Sequence, residues 1–336
     1  MFISKIFKHM PHTNSKFWHF TNKISVRNYT PRRALMYVPG DDTRKLKKAW
    51  TLNVDCVAMD CEDGVAINRK ETARETIRNI LNEGKPTKKK FDWAVRVNSI
   101  DSGLCDDDLR ALLTAEHLPN TVLLPKVENK EHILWFSERI NSYIENKKKV
   151  ELIIFIESAV AMINLPDICR TAVLLSKTSK FVPCALVFGS DDFCASIGAT
   201  RTEDSKEILY ARQKLVLVAK AFGLQAIDMV YIAYKDLEGL KLQSEEGSRM
   251  GYTGKQVIHP DQVPIVQEAF LPNTKQIEWA VGLLNAFKEH QKKWKRSIYL
   301  QRKHDRYANY EASTKCDRFN YVIKKLMYTL YIMLHN

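Results

Sequence analysis

Between residues 33 and 260 lie eight short apolar runs, nearly all of which end on a polar or charged side chain. The runs are Arg33–Gly40, Val54–Gly64, Phe91–Asn98, Thr121–Glu128, Glu151–Ser158, Ala185–Phe193, Ala226–Ile232 and Gly254–Pro260. With strand ends near 38, 60, 97, 126, 157, 189, 232 and 258, the spacings are 22, 37, 29, 31, 32, 43 and 26 residues. Helical patterns fill the gaps, as at Asp107–Glu116, Glu131–Tyr143 and Glu207–Phe222. A strand and a helix repeated eight times at about 30 residues per unit predict an α/β fold, a (β/α)8 TIM barrel. A doubly wound open sheet is the alternative. It wants a glycine-rich phosphate turn after its first strand, and Pro39-Gly40-Asp41-Asp42 is not of that form.

In a barrel all eight strand tips converge on one face, where the chemistry of such proteins sits. Here the tips carry Tyr37, Asp60, Glu62, Asp63, Arg96, Lys126, Glu157, Asp192 and His259. Each alone reads as a helix cap or a solvated ion pair. A polar group at nearly every tip is hard to obtain from packing. The two most apolar runs, Glu151–Ser158 and Ala185–Phe193, end on Glu157 and on the pair Asp191 and Asp192. Carboxylates on neighbouring tips suit a hard divalent cation, and Mg²⁺, which takes oxygen ligands and only one or two protein carboxylates, fits best.

The chain carries 52 basic and 39 acidic side chains, a net charge of +13 that resembles a nucleic-acid signal until it is located. Residues 1–40 hold seven basic residues and no acid, and residues 292–336 hold eleven basic and three acidic. That leaves 34 basic and 36 acidic for residues 41–291, a net of −2. The body has no basic groove, so RNA binding would rest on the tails alone, and no nucleic-acid partner is expected. Residues 1–30 are basic, acid-free and amphipathic without a continuous apolar stretch, the pattern of a mitochondrial transit peptide. No membrane span is expected, because no segment reaches the required apolar length. Seven cysteines without CxxC pairs fit a reducing compartment, here the mitochondrial matrix. The expected organisation is a transit peptide over 1–30, a catalytic barrel over 31–291 and a divergent basic tail over 292–336.

Several stretches, in order over residues 32–291, carry a specific resemblance. They are Tyr37-Val-Pro-Gly40, Asp60-Cys-Glu-Asp-Gly-Val65, Arg96-Val-Asn-Ser99, Leu124-Pro-Lys-Val-Glu128, Ile156-Glu-Ser158, Phe188-Gly-Ser-Asp-Asp-Phe193, Ser196-Ile-Gly-Ala199 and Gly254-Lys-Gln-Val-Ile-His-Pro260. Together they resemble the citrate lyase β-subunit-like family of the HpcH/HpaI aldolase superfamily. The resemblance implies a (β/α)8 barrel, a homotrimer, Mg²⁺, and cleavage of a hydroxyacyl-CoA into acetyl-CoA and a 2-oxo acid. The substrate it points to is (S)-citramalyl-CoA, which would yield pyruvate by retro-Claisen chemistry. It places Mg²⁺ on Glu157 and Asp192 and has Arg96 clamp the thioester oxygen or carboxylate with a bidentate fork. Asp60 and Glu62 would orient metal-bound water or Arg96, and backbone N–H groups around Gly189–Asp192 would hold the substrate carboxylate. Coenzyme A contacts fall on Tyr37, Arg44, Lys48, Ile258 and His259. Arg44 and Lys48, four residues apart, would share a helix face.

The resemblance stops near Lys295. Family members continue with a tail of the type K-G-A-F-T-F-x-G-S-M-I-D-M-P, whose Asp is expected to reach a neighbouring subunit as acid/base. Here the chain reads Lys295-Arg-Ser-Ile-Tyr-Leu300 and onward. A one-base shift of reading frame converts one tail into the other, so a frame shift from about Lys295 is the reading adopted. In the shifted register the Asp codon straddles Arg306 and Tyr307, and Asp305 is given no role. Two alternatives to the lyase follow. One is an acyl-CoA-binding barrel with little turnover, because loss of a placed acid/base costs about 10²–10⁴ in rate. The other is a malate or methylmalate synthase side activity, the same C–C step run as condensation with thioester hydrolysis.

Overall fold

Parallel strands buried on both faces read as near-continuous apolar runs, and the eight runs fold as eight such strands. The computed structural model describes residues 30–85, 91–145 and 148–272, together with Glu278 and Gly282. The strands are β1 (Ala34–Pro39), β2 (Cys56–Asp60), β3 (Asp92–Arg96), β4 (Thr121–Leu124), β5 (Val150–Ile156), β6 (Phe181–Phe188), β7 (Gln225–Asp228) and β8 (Gly254–Val257). They close in chain order into a parallel barrel, with β8 returning to β1 through Ala34↔Lys255 and Met36↔Val257. The expected transit peptide, and the tail from 292 with its proposed frame shift, lie outside the described residues.

Nine α-helices follow among the described residues: α1 (Thr43–Ala49), α2 (Lys70–Glu83), α3 (Cys105–Leu113), α4 (Lys130–Tyr143), α5 (Ala159–Leu175), α6 (Ser190–Ile197), α7 (Leu209–Ala221), α8 (Leu237–Met250) and α9 (Gln262–Ala269). Local chemistry sets their starts. Asp42, Asn129, Ser158 and Asp236 accept backbone N–H bonds in the first turns of α1, α4, α5 and α8. The expected helices at 107–116, 131–143 and 207–222 correspond to α3, α4 and α7, with ends displaced by one to three residues.

Alternation along the strands divides the core in two. Leu35, Ala58, Ala94, Leu123, Ile153, Phe155, Ala185, Val187 and Ile227 fill the barrel interior. Their neighbours, such as Met36, Val57, Val95, Leu152, Leu186 and Val257, face the helices. Small Ala58, Ala94 and Ala185 leave room for the rings of Phe155 and Tyr37, 6.5 Å apart between centroids. At the N-terminal pole Arg32 is fully buried. It donates to Asp92 at 2.5 Å, to Thr121 Oγ1 at 3.1 Å and to Glu151.

One strand is shorter than the sequence suggests. The seventh run was expected to extend to Ile232, but β7 stops at Asp228. Beyond it the Val230 carbonyl accepts from Arg201 and the Tyr231 carbonyl from Gln262 Nε2, so side chains replace the strand ladder there. The six described cysteines are free thiols, and five of them are buried. No helix among the described residues is long and apolar enough to cross a membrane.

Candidate active site

The C-terminal tips of β2, β3, β5 and β6 bring one guanidinium and several carboxylates together. Arg96, the last residue of β3, presents its Nε and Nη2 edge to Asp60 at the end of β2, with both bonds 2.6 Å long. Asp60 Oδ1 also accepts the Glu62 N–H at 2.8 Å, and Oδ2 the Gly64 N–H at 2.9 Å. Arg96 Nη1 lies 2.8 Å from Glu62 Oε2 and 3.6 Å from Asp63. Burial opposes the Arg96 charge, but Asp60 and Glu62 outweigh it and hold the group firmly protonated.

Of the expected bidentate fork of Arg96, the Nε/Nη2 edge is already filled by Asp60. Only the Nη1/Nη2 end remains for an incoming oxygen, and Nη1 is shared with Glu62. The expectation that Asp60 orients Arg96 agrees with its partners.

Glu157 follows β5 and is 8% exposed, whereas the Asp192 side chain, on the first turn of α6, is 48% exposed. Lys126 joins the two carboxyl groups, its N–H on Glu157 at 3.2 Å and its Nζ 3.5 Å from Asp192. Burial first, then the Glu62 charge and the Asp192 contact, raise Glu157 well above the usual carboxylate range. Burial likewise raises Glu62, against the pull of Arg96. Gly189 makes room for this arrangement. A Cβ there would clash with Glu157 Cγ and stand 2.8 Å from its Cδ.

Carboxyls this crowded need a proton or a cation between them. Among the described residues no group of three or more His, Cys, Asp and Glu is placed to ligate a metal by itself. Two protein oxygens with the remainder from water and substrate is the usual share for magnesium. An all-oxygen donor set suits it over softer metals. The residues present therefore fit Mg²⁺.

Lys126, just past β4, is one of two non-glycine residues with positive φ among those described, at 52°. This left-handed backbone carries a steric cost for a lysine. Its N–H donates to Glu157 Oε1 at 3.2 Å, while its Nζ lies 3.0 Å from Glu62, 3.6 Å from Asp63 and 3.5 Å from Asp192. Burial works against its charge, yet Glu62, Asp63 and Asp192 raise it above the ordinary lysine value. The sequence marks Lys126 as a strand tip but gives no sign that it spans both carboxylates of the pair.

Tyr37 is half-buried, with the Arg96 guanidinium 4.5 Å from its ring centroid and its hydroxyl donating to Gln256 Oε1 at 2.8 Å. Gln256 itself gave no sequence signal. Arg44 lines a cleft of about 570 Å³ with Asp41, Asp42, Thr43, Lys45, Gly64 and Arg69. Lys48 is not among its lining residues, since the cleft lies over the first turn of α1 and Lys48 stands one turn further on. Lys45 and Arg69 supply the additional cations, Arg69 while paired with Asp41 at 3.2 Å. Ile258, exposed, and His259, half-buried, follow β8 with their N–H groups held by Gln262 Oε1 at 2.9 and 3.2 Å. The His259 ring stacks on Tyr234 at 5.1 Å, a partner the sequence did not suggest.

The chain is 48% identical over 282 residues to the human (Homo sapiens) mitochondrial citramalyl-CoA lyase, covering 82% of each chain. It is 32% identical over 259 residues to a (3S)-malyl-CoA thioesterase of Cereibacter sphaeroides, covering 77% of this chain and 84% of that one. Among solved structures, CitE from Mycobacterium tuberculosis in complex with magnesium, acetoacetate and coenzyme A matches with a TM-score of 0.59 at 25% identity. That match covers 77% of this chain and 88% of the other. The profile of the HpcH/HpaI aldolase/citrate lyase family matches residues 33–260, more than half of the chain. The chain belongs to the HpcH/HpaI aldolase/citrate lyase family.

Proposed function

We propose that this protein is a magnesium-dependent carbon–carbon lyase that cleaves (S)-citramalyl-CoA into acetyl-CoA and pyruvate. One observation carries the reading: Lys126 joins Glu62, which lies 2.8 Å from Arg96, to both Glu157 and Asp192 at the barrel mouth of a chain 48% identical to a citramalyl-CoA lyase. Retro-Claisen cleavage must take the proton of a tertiary hydroxyl, break a C–C bond and hold the enolate that leaves.

Glu157 and Asp192 would hold the Mg²⁺, which when bound supplies Lewis acidity and a template for the 2-oxo acid end. The Arg96 Nη1/Nη2 end faces charge that develops on the thioester oxygen, and Asp60 fixes it before the reaction begins. Asp60 carries no proton traffic, because four donors already occupy its oxygens. Glu62 sits between Arg96 and Lys126 and balances their charge. The first N–H groups of α6, at Ser190–Asp192, are free of helix partners and suit the substrate carboxylate, whereas the Gly189 N–H is taken by the Ile156 carbonyl at 3.1 Å. Arg44, Lys45 and Arg69 suit the coenzyme A phosphates, and Ile258 and His259 the remainder of that moiety. The assembly is a homotrimer in the mitochondrial matrix, delivered by residues 1–30.

A second reading is favoured by the tail after Lys295, which departs from the family's sequence. In it the barrel binds acyl-CoA and turns it over slowly. Both are tested by supplying purified protein with (S)-citramalyl-CoA, with Mg²⁺ or with EDTA, and following pyruvate and acetyl-CoA. Magnesium-dependent release of both products supports the lyase. Tight substrate binding without release, rescued by adding the family's own tail, supports the second reading.

A further inference from the structure

Gln256 lies inside the barrel on β8 and is 6% exposed. Its Nε2 donates to two strand-end carbonyls, Phe188 O at 2.9 Å and Asp228 O at 3.0 Å. Carbonyl oxygens only accept, so both amide hydrogens are spent there and the orientation of the amide is settled by its partners. Its Oε1 is thereby turned to Tyr37, whose hydroxyl donates to it at 2.8 Å. The Tyr37 ring in turn lies against the Arg96 guanidinium at 4.5 Å. Asp60 grips that guanidinium by one edge and Glu62 meets Nη1 at 2.8 Å, contacts that resist tilt out of the guanidinium plane less than motion within it. A ring held against its face removes that tilt.

We propose that Gln256 is a positioning residue that locks the Tyr37 ring against Arg96, so that the tips of β6, β7, β8 and β1 together aim the guanidinium. The kinetic consequence rests on the lyase reading given above, whereas the geometric one does not. A guanidinium that tilts still meets substrate, but no longer matches charge appearing in the transition state, so the loss falls on kcat.

The test uses Q256L, Y37F and the double variant of the full chain. It combines steady-state kinetics on (S)-citramalyl-CoA with Mg²⁺ and crystal structures of the wild type and each variant. Q256L is expected to lower kcat about tenfold and to leave KM within about twofold, with Y37F similar. The double variant should fall no further than Q256L, since both act through one bond. In the Q256L crystals the Tyr37 ring should have left its place on the guanidinium. Losses that multiply in the double variant, a change confined to KM, or a Tyr37 ring unmoved in Q256L would each overturn the proposal. If Q256L does not fold, Y37F keeps the ring and loses only the hydroxyl, and its kcat and ring position decide. A wild type without turnover would refute the lyase reading instead, and the crystal structures would then judge Gln256 alone.

Discussion

Asp60 grips Arg96 by two 2.6 Å bonds and is itself pinned by the N–H groups of Glu62 and Gly64. One buried carboxylate thus anchors one edge of a flexible side chain. Removing it leaves Arg96 buried with Glu62 and the more distant Asp63, and strands two backbone donors. Asp60→Ala is expected to cost about 3–5 kcal/mol in urea unfolding, and Asp60→Asn less, because one acceptor oxygen survives.

Magnesium binding should depend steeply on pH. Burial, Glu62 and Asp192 raise Glu157, so it keeps its proton to a higher pH than an ordinary glutamate. Proton and cation compete for the same oxygens. Below the Glu157 value the affinity is expected to weaken about tenfold per pH unit, read by titration calorimetry from neutral pH downward. EDTA should stop cleavage, and Mg²⁺ should restore it. A flat affinity profile would contradict the assignment of Glu157.

Gly189→Ala tests the same corner sterically. The added methyl meets Glu157 and not the backbone, whose φ of −86° any residue adopts. Glu157 must turn away, so turnover should fall by about 10²-fold, the scale of a 1 Å misplacement. The melting temperature should change little in comparison.

Arg44→Ala and Arg69→Ala should raise KM for the acyl-CoA about tenfold at nearly constant kcat, since both line the cleft that suits its phosphates. Lys48→Ala should do less, being a turn away. Equal effects at 44 and 48 would mean that the coenzyme lies along α1 and not across its first turn.

Away from the mouth, Lys255 is fully buried between β8 and α8, 3.5 Å from Asp228 and 2.7 Å from Gln243 Oε1, with Arg212 bound to the same Asp228. Burial pushes its ammonium down to about 8, against the pull of Asp228. From there to the ordinary lysine value the folded chain holds it neutral while the unfolded chain keeps the proton. The unfolded state then binds more protons, so this group's contribution to stability rises with pH across that window. Urea unfolding at pH 8 and pH 10 should show a slope in Lys255→Met lower than wild type by roughly 1 kcal/mol per pH unit. Comparing the two slopes cancels the cysteines and tyrosines that titrate in the same range.

The barrel and the Glu157–Asp192 pairing were legible because buried parallel strands are nearly continuous apolar runs and consecutive runs become neighbours. What stayed hidden depends on direction. Gln256 sits in Gly254-Lys-Gln-Val257 beside Lys255; one faces the barrel interior and the other the helices, and only register separates them. The occupied edge of Arg96 depends on the register that sets Asp60 opposite it at the ends of β2 and β3, which composition does not mark. The left-handed backbone of Lys126 was invisible for the same reason, since a glycine would have advertised it and a lysine does not. Helical spacing gives Arg44 and Lys48 a shared face but not how far along the helix a cleft extends, and Lys48 lies beyond the lining of this one.

Arg32, clasped by Asp92, Thr121 and Glu151, stoppers the barrel opposite the carboxylates, with Leu35, Ala94, Ile153 and Phe155 stacked above it. A chamber with a solid floor has a single doorway. In the proposed cleavage the coenzyme half lies toward the rim and the keto acid toward Glu157, so traffic forms a queue. Acetyl-CoA vacates the threshold first, and the small acid behind it leaves last and becomes the species that the next substrate must displace.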